Sequence, residues 1–137
     1  MSERLALFVP YWNATDLPVR QLRLLFAARW WIVAARAGRS PRRTVGRALG
    51  SGAAAGPFSV FMEQLILAWT EPFIAGHPDC LSVRPDEMLL LALCDAADRG
   101  DQAAFHLLLA EMLPQLTRER LYEFARRVTK CLEDAQD

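Results

Sequence analysis

One stretch limits the folds open to this chain more than any other. From Asp16 to about Ala37 the sequence reads as a single helix. Asp16 is an N-cap candidate, Pro18 fits a first turn and Gly38 ends it. At about 100° per residue, Leu22, Leu24, Leu25, Phe26, Trp30, Trp31, Ile32 and Val33 spread around the whole cylinder. A helix that is apolar all round must be enclosed by a core or by a neighbouring subunit. Arg29 and Arg36, on one face of it, are expected to thread a polar path to solvent or to pair with acids from elsewhere in the chain.

Helix punctuation continues downstream, while period-2 alternation and Asn-Gly or Asp-Gly hairpin turns are missing. A second main helix is expected from Pro57 to about Thr70, with Phe58, Phe61, Met62, Leu65, Ile66 and Trp69 at 3/4 spacing. Pro72 bounds it, and residues 71–85 read as irregular. A third opens at Pro85 with Asp86 and Glu87 in its first turn, where the helix dipole favours anions. Its expected core is Met88, Leu89, Leu91, Ala92 and Asp95, and Gly100 stops it. Asp101 caps a fourth, with Phe105, Leu108, Leu109 and Met112 inward as far as Pro114. Thr117 caps the last, whose stripe is Leu121, Phe124, Ala125, Val128, Cys131 and Leu132. The expectation is an all-α, single-domain bundle of about five to six helices. It would carry an N-terminal extension (1–15), a basic Gly/Ala-rich connector (38–56) in which Pro41–Leu49 suits a short helix ended by Gly50, and a frayed tail (135–137).

A chain of 137 residues is one domain by size and buries enough surface to need neither disulfide nor metal. Hydrophobic content of 53% and a mean hydropathy of +0.08 exclude disorder. They leave apolar surface to be covered between subunits. The longest apolar run, Leu24–Ala35, is too short for a membrane span and has Arg29 in its middle. The apolar N-terminus lacks a small-residue cleavage site after it, so a cytoplasmic protein is expected. Cys80, Cys94 and Cys131 are odd in number and far apart, which argues against a disulfide framework. Cys94 and Cys131 fall within apolar helical patterns and read as small buried hydrophobes.

Charge is divided unevenly. Residues 1–62 carry nine arginines against two acids, and residues 63–137 carry seven bases against fourteen acids. The halves are expected to attract within one chain or between two. The segment Arg39–Gly56 concentrates the basic side and supplies four anion-binding candidates, Arg39, Arg42, Arg43 and Arg47. Its "RTVGRALGSG" is similar to the first helix and turn of a helix-turn-helix. The second helix does not fit that motif: Gly56 and Pro57 should break it, and Phe58 and Phe61 belong to a core. Non-specific phosphate contact by the arginines stays open.

The order "QLRLLFAARWW", "FSVFMEQLILAW", "RPDEMLLLALCDAADRGD" and "AAFHLLLAEML" resembles a family of small all-helical proteins of unknown function, found mainly in sphingomonad-type alphaproteobacteria. The similarity runs from about residue 20 to 113. It implies a helical fold and no particular activity. The family's cysteine cluster before the "DE" helix is reduced here to Cys80, so no shared metal or redox role is carried over.

No nucleophile, phosphate-loop or metalloprotease motif is present, and the histidines number two, His77 and His106. His106 reads as a satisfied helix residue. "HPDC", His77–Cys80, supplies an imidazole, a carboxylate and a thiol but at most part of a zinc site. Asp95, Asp98 and Asp101 read as a solvated helix end. No catalytic, cofactor or metal residue is assigned, and no cofactor is expected. The leading expectation is a non-enzymatic structural or protein-interaction domain, homodimeric, with Phe26, Trp30, Trp31 and Trp69 as interface anchors. In that reading the basic half of one copy meets the acidic half of another, so association is salt-sensitive. The alternative is a nucleic-acid-binding regulator using Arg39–Arg47, and the third a small-molecule or metal-binding protein or enzyme.

Overall fold

The computed structural model describes residues 13–136, with side chains as far as Asp134. Residues 1–12 of the expected extension, with Tyr11 and Trp12, and the last residue of the expected tail lie outside the described residues. Among the described residues the architecture is an all-α bundle of six helices: α1 (Val19–Arg36), α2 (Arg42–Leu49), α3 (Gly52–Ala68), α4 (Pro85–Asp98), α5 (Gln102–Leu109) and α6 (Gln115–Gln136). A short 3-10 turn, Ala14–Asp16, precedes α1. Asn13 caps that turn through its side chain, so Asp16 does not cap α1, which starts after Pro18. α6 starts two residues before Thr117 and continues through Gln136, beyond the expected end.

The largest departure from expectation lies between α1 and α3. The short helix that Pro41–Leu49 suits, ended by Gly50, is present as α2, but the Gly/Ala-rich stretch after it, read as a connector, is helical too and follows after one tight turn. Gly50, at φ +70°, takes the left-handed conformation that ends α2. Ser51 then accepts from the Ala54 N–H and starts α3 five residues before Pro57. Pro57 sits inside the helix, where it removes one backbone donor. Burial outweighs that loss: Ala54, Ala55, Phe58, Phe61, Met62 and Leu65 are at most 1% exposed. Gly46 lets α2 approach closely, since a Cβ there would stand 3.3 Å from the Gly52 Cα.

The core is one cluster. α3 packs on α6 and α2, α2 on α1, and α4 on α5 and α6. Along α4 the buried apolar residues are Leu89, Leu90, Leu91, Leu93, Cys94, Ala96 and Ala97, while Ala92 is half-buried and Asp95 exposed. The inward face is therefore turned by about one residue from the expected one. In α6, Leu121, Ala125, Val128 and Leu132 are buried as expected, and Phe124 and Cys131 are half-buried. Among the described residues, no helix is long and apolar enough to cross a membrane.

Candidate interaction surface

Arg29 organises the irregular passage between α3 and α4. Its side chain and that of Glu87 are fully buried. The guanidinium Nε donates to Glu87 Oε2 at 2.7 Å and Nη2 to Oε1 at 3.0 Å, a two-pronged pairing. The remaining donors reach the loop: Nη1 to the Cys80 carbonyl at 2.6 Å and Nη2 to the Ser82 carbonyl at 3.0 Å. Glu87 in turn accepts from the backbone N–H of Gly76 and of Arg84. Asp86 accepts from the Ile74 N–H. The first-turn acids of α4 thus hold the loop against α1. The space is tight, because a Cβ on Gly76 would come within 2.9 Å of Arg29 Nη2.

With the loop fixed, α1 presents two apolar faces. Leu24, Leu25, Ala27, Ala28 and Ile32 point into the core. The opposite face carries Val19, Leu22, Phe26, Trp30 and Val33 at spacings of 3, 4, 4 and 3. Val19 is 66% exposed, Trp30 41% and Val33 40%, and Leu22 and Phe26 are half-buried. The all-round apolarity of the sequence is thus a core face plus an outward stripe. The expectation of an α1 apolar all round does not separate these two faces and leaves out Val19.

The four expected interface anchors divide between these faces. Phe26 and Trp30 lie on the outward stripe. Trp31 lines a groove of about 370 Å³ with Ile32, Ala35, Arg36, Ile66, Pro72 and Phe73, and its buried indole Nε1 has no hydrogen-bond partner among the described residues. Trp69 packs on Phe73, ring centroids 5.3 Å apart.

A basic face adjoins them. Arg39, Arg42, Arg43 and Arg47 are all exposed, and α2 turns Val45, Gly46 and Leu49 inward beneath them. Two arginines are seated on glycine backbone. A Cβ on Gly56 would meet Arg42 Nη2 at 2.9 Å, and one on Gly50 would meet Arg23 Nη1 at 3.3 Å. The expectation that Gly56 and Pro57 break the second helix of a helix-turn-helix is corrected here, because α3 runs through both. The expectation that Phe58 and Phe61 serve the core holds.

The remaining chemistry-bearing residues do not converge. His77 and Asp79 are exposed, with His77 Nδ1 accepting from the Asp79 N–H, while Cys80 Sγ faces the Ser82 carbonyl at 3.4 Å. Asp98 pairs with Arg20 at 2.8 Å, and Asp95 and Asp101 both pair with Arg99. Burial pushes the Cys94 thiol up to about 12, and the nearby Asp98 and Asp95 carboxylates add to the shift. Among the described residues no three His, Cys, Asp or Glu side chains could hold a metal ion. Comparison with protein-family models, curated proteins and solved structures gives no match for the chain.

Proposed function

We propose that this chain is a non-enzymatic interaction domain that works as a homodimer, two copies joined α1 against α1. The observation that carries the reading is the symmetry of the outward stripe. Val19, Leu22, Phe26, Trp30 and Val33 are palindromic about Phe26. A two-fold axis passing there sets the helices antiparallel and pairs Val19 with Val33 of the second copy, Leu22 with Trp30, and Phe26 with Phe26. Such self-complementarity is what an isologous contact requires. The cationic flank does not oppose it. Arg23 would face position 29 of the second helix, and Arg29 is turned into its own core.

The contact is apolar rather than the charge-paired one expected from the two halves. Part of the opposite charge is already spent within one chain, in the Arg29–Glu87 and Arg20–Asp98 pairs. Sedimentation equilibrium tests this. The wild-type chain is expected to dimerise with little dependence on salt. Trp30→Ala, at a centrally placed aromatic anchor, should weaken the dimer by about 30-fold, or about 2 kcal/mol. Val60→Ala, at an exposed apolar residue on α3, should not. A wild-type monomer at about 100 µM, a concentration at which even a Kd near that value leaves a large dimer fraction, would overturn the reading.

A further inference from the structure

The arginines of the N-terminal half carry a second inference, independent of the dimer. Between Leu17 and Met62 there is no acid, and there are eight arginines and no lysine. Two of them serve the fold, Arg20 on Asp98 and Arg29 on Glu87. No described residue forms an ion pair with Arg23, Arg36, Arg39, Arg42, Arg43 or Arg47. Four of these, Arg39, Arg42, Arg43 and Arg47, project from α2 and the residues leading into it.

We infer that this face docks the phosphate backbone of a nucleic-acid duplex without reading its sequence. Three observations select that partner. First, the cations are all guanidinium groups, whose planar fork matches phosphate oxygens in a two-pronged way. The seating of Arg42 on Gly56 limits the rotamer freedom it must give up. Second, the apolar side of α2 is consumed by its own core: Val45 is 0% and Leu49 3% exposed. Nothing apolar on α2 is left to enter a bilayer, which membrane-surface helices need. Third, the exposed or half-exposed residues of α3 beside the turn are Gly52, Ala53, Gly56, Pro57, Ser59 and Val60, and the Ser59 hydroxyl is buried. None presents a hydrogen-bonding side-chain group at the surface, so base edges cannot be read there. What remains is a helix, a tight turn and a smooth second helix edge under a row of cations, suited to phosphate contact alone.

Fluorescence anisotropy with labelled DNA and RNA duplexes of unrelated sequence tests the inference. Binding should be indifferent to sequence and fall steeply with salt. Four phosphate contacts give a slope of about −3.6 in log K against log salt, or a loss of about 150-fold between about 50 and 200 mM. R42A/R43A/R47A should reduce that slope to about −0.9, whereas R42K/R43K/R47K keeps most of the binding because the charge persists. All three positions are exposed, and circular dichroism checks that the helices remain. Binding to either duplex supports the inference, and the two arms tell which polymer is preferred. No binding at about 50 mM salt overturns it, as does a triple alanine variant that binds like wild type. Recruitment to phosphatidylserine vesicles with neither duplex bound also overturns it, in favour of a membrane surface. Trp30→Ala measured in parallel separates the two readings, since it should alter dimerisation without changing the salt slope per protomer.

Discussion

Replacing Arg29 with Met should be among the most damaging single substitutions available in this chain. Met keeps much of the length and removes the guanidinium. Glu87 would then be a fully buried carboxylate with the Gly76 and Arg84 N–H groups as its remaining donors. The carbonyls of Cys80 and Ser82 would each lose a donor. Breaking one side of a buried ion pair costs about 3–5 kcal/mol. The two carbonyls add little, because Cys80 is half-buried and Ser82 exposed, so water can reach the loop when it relaxes. A loss of about 4 kcal/mol is a large share of the about 5–15 kcal/mol that holds most domains folded. In urea, at a slope of about 1.5–2 kcal/mol/M, it lowers the midpoint by about 2–3 M. The double variant R29M/E87L removes both charges and should recover most of the loss, since an apolar pair avoids the desolvation cost. Hydrogen exchange gives a local readout: the Gly76 and Arg84 amides should lose protection in R29M ahead of the helices. A cost below about 1 kcal/mol for R29M would refute the hub, and so would a double variant no more stable than the single one.

Two further outcomes test other parts of the fold. Gly46→Ala should destabilise by about 1–3 kcal/mol in chemical denaturation, because its Cβ would meet the Gly52 Cα at 3.3 Å and push α2 from α3. Above pH 9.0 the unfolded chain ionises Cys94 while the folded chain holds it protonated to about 12. Stability should therefore fall as pH rises through that window, by at most about 1.4 kcal/mol per unit, and this component should vanish in Cys94→Ala measured by thermal melts.

Where the sequence punctuates, it was legible. Pro85, Gly100 and Asp101 marked the ends of α4 and the start of α5, because proline at a first turn, a left-handed glycine and an aspartate cap act locally. Gly52–Pro57 misled for the converse reason. Glycine and proline weaken a helix by a few kcal/mol at most, and packing of Ala54, Ala55 and Phe58 against distant segments outweighs that. The partner of Arg29 was foreseen only as some acid from the other half. Glu87 read as a dipole-stabilising first-turn acid, and its pairing spans 58 positions of sequence that no local signal encodes.

The two surfaces differ from the hub in what they cost the fold, and that difference is the reason to read them as functional. Arg29 is spent on holding the fold, through Glu87 and the loop carbonyls, so its burial says nothing about partners. Trp30 at 41% exposure and the α2 arginines, which form no ion pair among the described residues, do little for the isolated chain. An exposed aromatic on a palindromic stripe forfeits burial, and closely spaced like charges repel. Each feature becomes favourable only when something covers it. In the proposed dimer the stripe is covered by a copy of itself, because its spacing is its own mirror. The arginines are not, because no acid stands between Leu17 and Met62 to meet them across a two-fold contact through α1. On the proposed assembly, one surface closes on a second copy, while the other stays open toward an anion from outside the dimer.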